Sequence, residues 1–219
     1  IKITLTIKRN SGKSFKINIE KQVLKDEENT VYSFIIDKEI KIGYIKIPSF
    51  YSNFEGGSGK GCAQDVAKET IKLMKDNIKG LVLDLTDNGG GSMEEAVKLA
   101  GLFIDYGPIS IVVDNKKQLS VINDPYKGVI YKGPIVIIIN GNSASASEFC
   151  ASIMQDYNRA LLIGSTSLGK ATMQTIVPLE KNDDQHFVKL TLSKFYRITG
   201  KSHQAVGVIP DVQIPTIYQ

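Results

Sequence analysis

The stretch from Gly133 to Gln174, GPIVIIINGNSASASEFCASIMQDYNRALLIGSTSLGKATMQ, constrains this 219-residue chain more than any other. Ile135 to Ile139 is an unbroken, mostly β-branched apolar run, as in a parallel strand buried on both faces. Small residues follow, Asn140-Gly-Asn-Ser-Ala-Ser145, and read as a turn. Phe149, Ile153, Met154 and Tyr157 then recur at the spacing of a helix with one buried stripe. Leu161-Leu-Ile163 is a second apolar strand, leading to a turn that ends at Gly169-Lys170. This order places Ser145 at a helix start and Lys170 just past the next strand. Open α/β sheets keep their sites at such strand ends.

Two readings of these residues stand side by side. Ser145-Ala-Ser-Glu148 fits a capping box, in which serine and glutamate satisfy each other's backbone N–H groups. Such a cap is worth roughly 1 kcal/mol and needs no chemistry. Lys170 by itself is an ordinary solvated loop lysine. Chemistry enters only if the two meet. A hydroxyl becomes a nucleophile when a base takes its proton, and a lysine desolvated by neighbours such as Leu168, Ala171 and Met173 can be that base. The first free backbone amide of the helix, that of Ala146, then faces a developing oxyanion.

The motif Ser143-Ala-Ser145-Ala-Ser147-Glu148, followed by Gly169-Lys170 and Gln174, resembles the C-terminal processing, or tail-specific, serine peptidases. The 25-position separation of Ser145 and Lys170 matches that family's spacing of nucleophile and lysine. Gly80-Leu-Val-Leu-Asp-Leu-Thr-Asp-Asn-Gly-Gly-Gly91 is similar to its LDLRxNxGG loop. Lys194 to Gly200 and Gly207-Val-Ile-Pro-Asp211 resemble its closing segment, so the likeness spans residues 38 to 215. Three positions depart from the pattern: Thr86 stands for the usual arginine, Gly89 for a proline and Ala171 for a glycine.

The resemblance implies peptide-bond hydrolysis through an acyl-enzyme, with Ser145 as nucleophile and Lys170 as base. The amides of Ala146 and of Gly90 or Gly91 would hold the oxyanion, and Gln174 would position Lys170. In a fully extended strand Gln174 and Lys170 would lie roughly 13 Å apart, so this needs a turn after Lys170. The family has been described with an acidic third member at the position of Asp156. Eleven residues along one helix put Asp156 about 16 Å from Ser145, so it is expected to support neighbouring turns through Arg159 or Lys170. The implied fold is an α/β core of the Clp protease and crotonase type, a central mixed sheet with flanking helices. No metal or cofactor is implied. The implied setting is the bacterial periplasm or cell envelope, with unfolded or C-terminally tagged proteins as substrates.

Ile1 to Ile7 and Phe15 to Ile19 alternate apolar and polar residues about Asn10-Ser-Gly12, a β-hairpin. With the resemblance, it reads as the end of a PDZ domain, giving a remnant and connector at 1–37 and a catalytic core at 38–219. The absence of an initiator methionine suggests an excised piece of a longer protein. Residues 20 to 38 read as a charged connector and Gly43 to Pro48 as the first core strand. Tyr51 to Gly61 is a glycine-bearing loop that either lines a substrate channel or is plain surface. Ala63 to Asn77 and Met93 to Ile104 are helices, the second capped by Ser92 with Glu95 in a further capping-box pattern. Leu81 to Leu85 and Ile109 to Val113 are strands, and Thr175 to Leu179 pairs with Val188 to Leu192 across the polar turn 181–185.

The charge of +4 is dispersed, without the basic cluster that nucleic acid binding needs, and no apolar run approaches the ~20 residues of a membrane span. Cys62 and Cys150 leave the redox compartment open. Gly164-Ser-Thr-Ser-Leu-Gly-Lys-Ala171 is one residue short of a phosphate-binding loop. Ala171 lacks the metal-binding hydroxyl, and the residues after it alternate like a strand. A serine–histidine triad would need His186 or His203, neither of which has flanks suggesting burial. Two histidines without paired spacing argue against zinc. A crotonase-like acyl-thioester enzyme and a silent peptide-binding scaffold remain as further alternatives.

Overall fold

The computed structural model describes residues 2–20, 29–52, 61–180 and 186–215. Most of the expected loop at 51–61, much of the connector at 20–38 and the turn 181–185 lie outside them. The first strands, β1 (Lys2–Lys8) and β2 (Ser14–Glu20), form an antiparallel hairpin. Its register sets Ile3 opposite Ile19, Leu5 opposite Ile17 and Ile7 opposite Phe15, so one face is apolar throughout and exposed.

The main sheet begins with β3 (Tyr32–Asp37) and β4 (Lys41–Lys46), an antiparallel pair. β3 falls where the sequence suggested only a connector, because its alternation is short and sits next to a run of charges. After α1 (Cys62–Met74), β5 (Gly80–Asp84) enters beside β4. Next come α2 (Met93–Gly101), β6 (Gly107–Asp114), β7 (Leu119–Asp124) and β8 (Ile135–Ile139). The chain continues through α3 (Ala146–Asp156), β9 (Leu161–Gly164), β10 (Thr172–Pro178), β11 (Phe187–Tyr196) and β12 (Val212–Gln213).

Six strands form a mixed sheet in the order β12-β9-β8-β5-β4-β3, parallel throughout except for β3. The unbroken apolar runs of β5 and β8 fit their central places, covered on both faces. A second, antiparallel sheet has the order β10-β11-β6-β7. It absorbs the expected 175–192 hairpin, and its edge strand β7 was not anticipated. Among the described residues no helix is long and apolar enough to cross a membrane.

Helix α3 departs from the single stripe expected of it. Every residue from Ala146 to Met154 is buried, with α2 packed on the helix and Phe195 of β11 edge-on to Phe149 at 5.3 Å. Helix α2 is capped by the Ser92 hydroxyl, which accepts from Glu95 N–H. The reciprocal bond is absent, because the Glu95 carboxylate instead accepts from Ala63 N–H at the start of α1.

Candidate active site

Strands β8 and β9 are neighbours, so the loops leaving them lie side by side. The loop after β8 is drawn down by the Ser143 hydroxyl, which donates to Leu85 O (2.8 Å), and by Ala144 N–H, which donates to Asn88 O (3.0 Å). The chain then reverses sharply. Ser145 has φ 58° and ψ −112°, a conformation a non-glycine residue holds only under tertiary constraint. Such a strained strand-to-helix corner presents its hydroxyl outward. Ser145 lines a cleft of about 630 Å³ together with Lys170, Gln174, Met173, Gly90 and Gly91.

Across this corner, Lys170 Nζ lies 3.3 Å from Ser145 Oγ and 3.5 Å from Thr172 O. The structure thus brings together the two side chains singled out from the sequence. Burial lowers the Lys170 pKa, the charge of Lys189 lowers it further, and Glu148 opposes both. Lys170 and Lys189 are the charged groups among the described residues lining the cleft.

Glu148 does much more than close a cap. Fully buried, it accepts from Ser145 N–H and Lys170 N–H through Oε2, both at 2.8 Å. Its Oε1 accepts from the Ser167 hydroxyl and Gly169 N–H, both at 2.6 Å. One carboxylate therefore ties the serine corner to the lysine loop. The lysine loop is held from the other side by Gln204, whose Oε1 accepts from Ala171 N–H, and by Gly169 O, which accepts from Ala205 N–H.

The 84–91 loop supplies the facing wall. Gly91 bridges Phe50 in parallel, and a Cβ there would lie 2.4 Å from Phe50 O. Of the two glycine amides considered for an oxyanion, that of Gly90 is already engaged, donating to Asn88 Oδ1 at 2.9 Å. Neither Gly91 N–H nor Ala146 N–H has an acceptor among the described residues. Gly90 has φ 103°, and a Cβ on it would sit 2.8 Å from Ala144 O and 2.9 Å from Ser145 Cβ. Gly90→Ala is therefore expected to displace the serine corner and to lower the turnover of a model peptide at least about 100-fold. Activity near the parent level would show that the corner tolerates the extra methyl.

The remaining expected residues lie further off. Gln174 sits at a bulge in β10 on the cleft wall, where its amide donates to Thr191 Oγ1 (3.4 Å) and not to Lys170. Asp156 is at the far end of α3, paired with Arg197, whose Nε lies 3.0 Å from both carboxylate oxygens. The partners expected for it, Arg159 and Lys170, are engaged elsewhere. Arg159 donates to the carbonyls of Phe103, Gly133 and Tyr131. His203, with flanks that suggested exposure, is buried against Phe195, and neither ring nitrogen has a hydrogen-bond partner among the described residues. It is therefore not bonded to Ser145.

Residues 41–214 match the family model of peptidase family S41. The chain belongs to this family. The chain is 39% identical over 207 residues to a tail-specific protease of Haemophilus influenzae, covering 92% of this chain and 28% of that protein. It is 33% identical over 219 residues to a carboxy-terminal-processing protease of Bartonella bacilliformis, covering 97% of this chain and 46% of the relative. The chain thus spans less than half the length of these two relatives. In structure, the S41 chain superposes on the photosystem II D1 C-terminal processing protease with a TM-score of 0.73. That match, at 24% identity, covers 98% of this chain and 55% of the other, and it supports the fold.

Proposed function

We propose that this chain carries the catalytic core of a serine endopeptidase that cleaves unfolded proteins near their C-termini. The observation that carries the reading is the 3.3 Å approach of Lys170 Nζ to Ser145 Oγ in an open cleft. Ser145 Oγ attacks the scissile carbonyl as neutral Lys170 removes its proton. The tetrahedral oxyanion forms against the N–H groups of Ala146 and Gly91. Lys170 then hands its proton to the leaving amine, which departs and leaves an ester on Ser145. Water, deprotonated by the same amine, hydrolyses the ester. Gln174 is assigned to orient Lys170 once a peptide fills the cleft, and Asp156 to hold the closing segment through Arg197.

Support for a nucleotide site is weaker, because the residues after Lys170 enter strand β10 and offer no helix N-terminus to a phosphate. The spiral Clp and crotonase architecture, an exported location, and the β1–β2 hairpin as the end of a PDZ domain belong to the same proposal. The exposed apolar face of that hairpin is what a longer domain would cover. Incubation with an unstructured protein, acid quenching and mass spectrometry of the Ser145 peptide test the reading. A covalent acyl adduct together with released fragments is expected. Absence of both overturns it.

The pH dependence carries a sign. Lys170 acts as a base, so the rate rises as pH climbs through its depressed pKa. Lys189→Ala removes a repelling charge and lets that pKa rise. The ascending limb should move to higher pH, with a several-fold loss at pH 7 measured as kcat across a pH series. A limb that stays in place or moves down would detach Lys189 from Lys170.

A further inference from the structure

The 84–91 loop is held from the neighbouring strand by a side chain that does not line the cleft. Lys46 ends β4, in register with Asp84 at the end of β5. Its ammonium donates to Thr86 O (2.6 Å) and Thr86 Oγ1 (2.7 Å) and forms an ion pair with Asp84, 3.2 Å from its Oδ1. The two charged side chains are only 18% and 9% exposed. Asp84 Oδ1 also accepts from Thr86 N–H and from the Thr86 hydroxyl, both at 2.7 Å, and its other oxygen accepts from Tyr44. Burial alone would raise the Asp84 pKa, but the bonds from Tyr44 and Thr86 and the charge of Lys46 hold it below the ordinary value.

From Thr86 the tie runs in short steps to the serine corner. Asp87 N–H donates to Asn140 Oδ1, and Asp87 Oδ1 accepts from the side-chain amides of Asn140 and Asn142. Asn88 donates to Ile47 O, next to Lys46, and its Oδ1 accepts from Gly90 N–H. The carbonyl of Asn88 accepts both Ala144 N–H and the Ser147 hydroxyl. The loop is thus fastened to β4 on one side and to the corner bearing Ser145 on the other. Without the Lys46 ammonium, the buried Asp84 charge loses its cation and Thr86 O loses its donor among the described residues. Groups left that way favour another loop conformation.

We infer that Lys46 is a positioning residue for the oxyanion loop, a cation supplied by β4 at the point where the loop itself carries Thr86. The inference rests on the hydrolytic reading above. It accounts for how the loop keeps its place without the arginine that the sequence motif leads one to expect at position 86. A guanidinium at 86 would put a positive charge at the root of the same loop from within.

The test compares the chain with its Lys46→Met and Lys46→Met/Thr86→Arg variants on a quenched fluorogenic peptide with a free apolar C-terminus. In Lys46→Met, kcat is expected to fall about 100-fold while KM stays within about threefold, the mark of lost transition-state geometry. Thr86→Arg in that background is expected to restore at least about tenfold. Hydrogen exchange of the peptide spanning 86–91, which needs no turnover, should accelerate about tenfold or more while β8 is unchanged. A folded Lys46→Met variant with near-parent kcat, no recovery with Thr86→Arg, or unaltered exchange at 86–91 would each overturn the inference. If the parent chain cleaves nothing, the hydrolytic reading fails, and the exchange data still decide the role of Lys46.

Discussion

Ser145→Ala is expected to abolish peptide hydrolysis, and Lys170→Ala to reduce it almost as far, by on the order of 10⁴–10⁶ in kcat. In the proposed mechanism the two groups act as one unit, so the double variant should be scarcely worse than either single one. Lys170→Arg should fail as well, because a guanidinium keeps its proton and cannot serve as base. Folding offers an internal control. Ser145 pays for a left-handed φ of 58° in the native chain. Ser145→Gly should therefore lose activity while gaining up to about 1 kcal/mol in thermal unfolding, by relief of that strain. A Lys170→Ala chain keeping more than about a tenth of the parent kcat would remove the lysine from the chemistry.

The second large effect is expected at Glu148. Its two oxygens accept four donors, drawn from the serine corner and the lysine loop. An amide has one acceptor oxygen, so Glu148→Gln sets an NH₂ against two groups that are themselves donors. With the site fully buried, water offers no substitute. The expected cost is about 3 kcal/mol in denaturant unfolding, on the scale of buried donors left unsatisfied. Turnover should fall more than about 100-fold even well below the unfolding midpoint, since Ser145 and Lys170 lose their common anchor. Glu148→Asp keeps the charge but shortens the reach and should recover only part of either loss. Parent-like stability in Glu148→Gln would show that the bonds can be replaced.

The resemblance implied the meeting of Ser145 with Lys170, and local order makes it possible. Two consecutive parallel strands joined by a helix put their trailing loops next to each other, and β8, α3 and β9 are such a unit. The same pattern gives the parallel strands of the main sheet, whereas the antiparallel β3 that makes it mixed did not follow from it. The arginine of Asp156 was not legible, since Arg197 lies 41 residues away, just past the end of β11, and a nearer Arg159 invited the wrong pairing. Glu148 was seen as a cap because that bond spans three residues, whereas its other partners are 19 to 22 residues distant. His203 has polar neighbours in sequence and acquires its apolar surroundings only when Phe195 folds over it. Strands β3 and β7 are short sheet-edge strands with little periodicity to betray them.

Lys170 stands on the segment linking β9 of one sheet to β10 of the other, whereas Ser145 belongs wholly to the first. The gap between amine and hydroxyl is therefore a gauge of how the two sheets sit, with the Phe149–Phe195 contact as its bolt. A slip of about 1 Å along that seam carries the amine out of bonding range. Tension on the β10–β11 arm would then be registered as turnover.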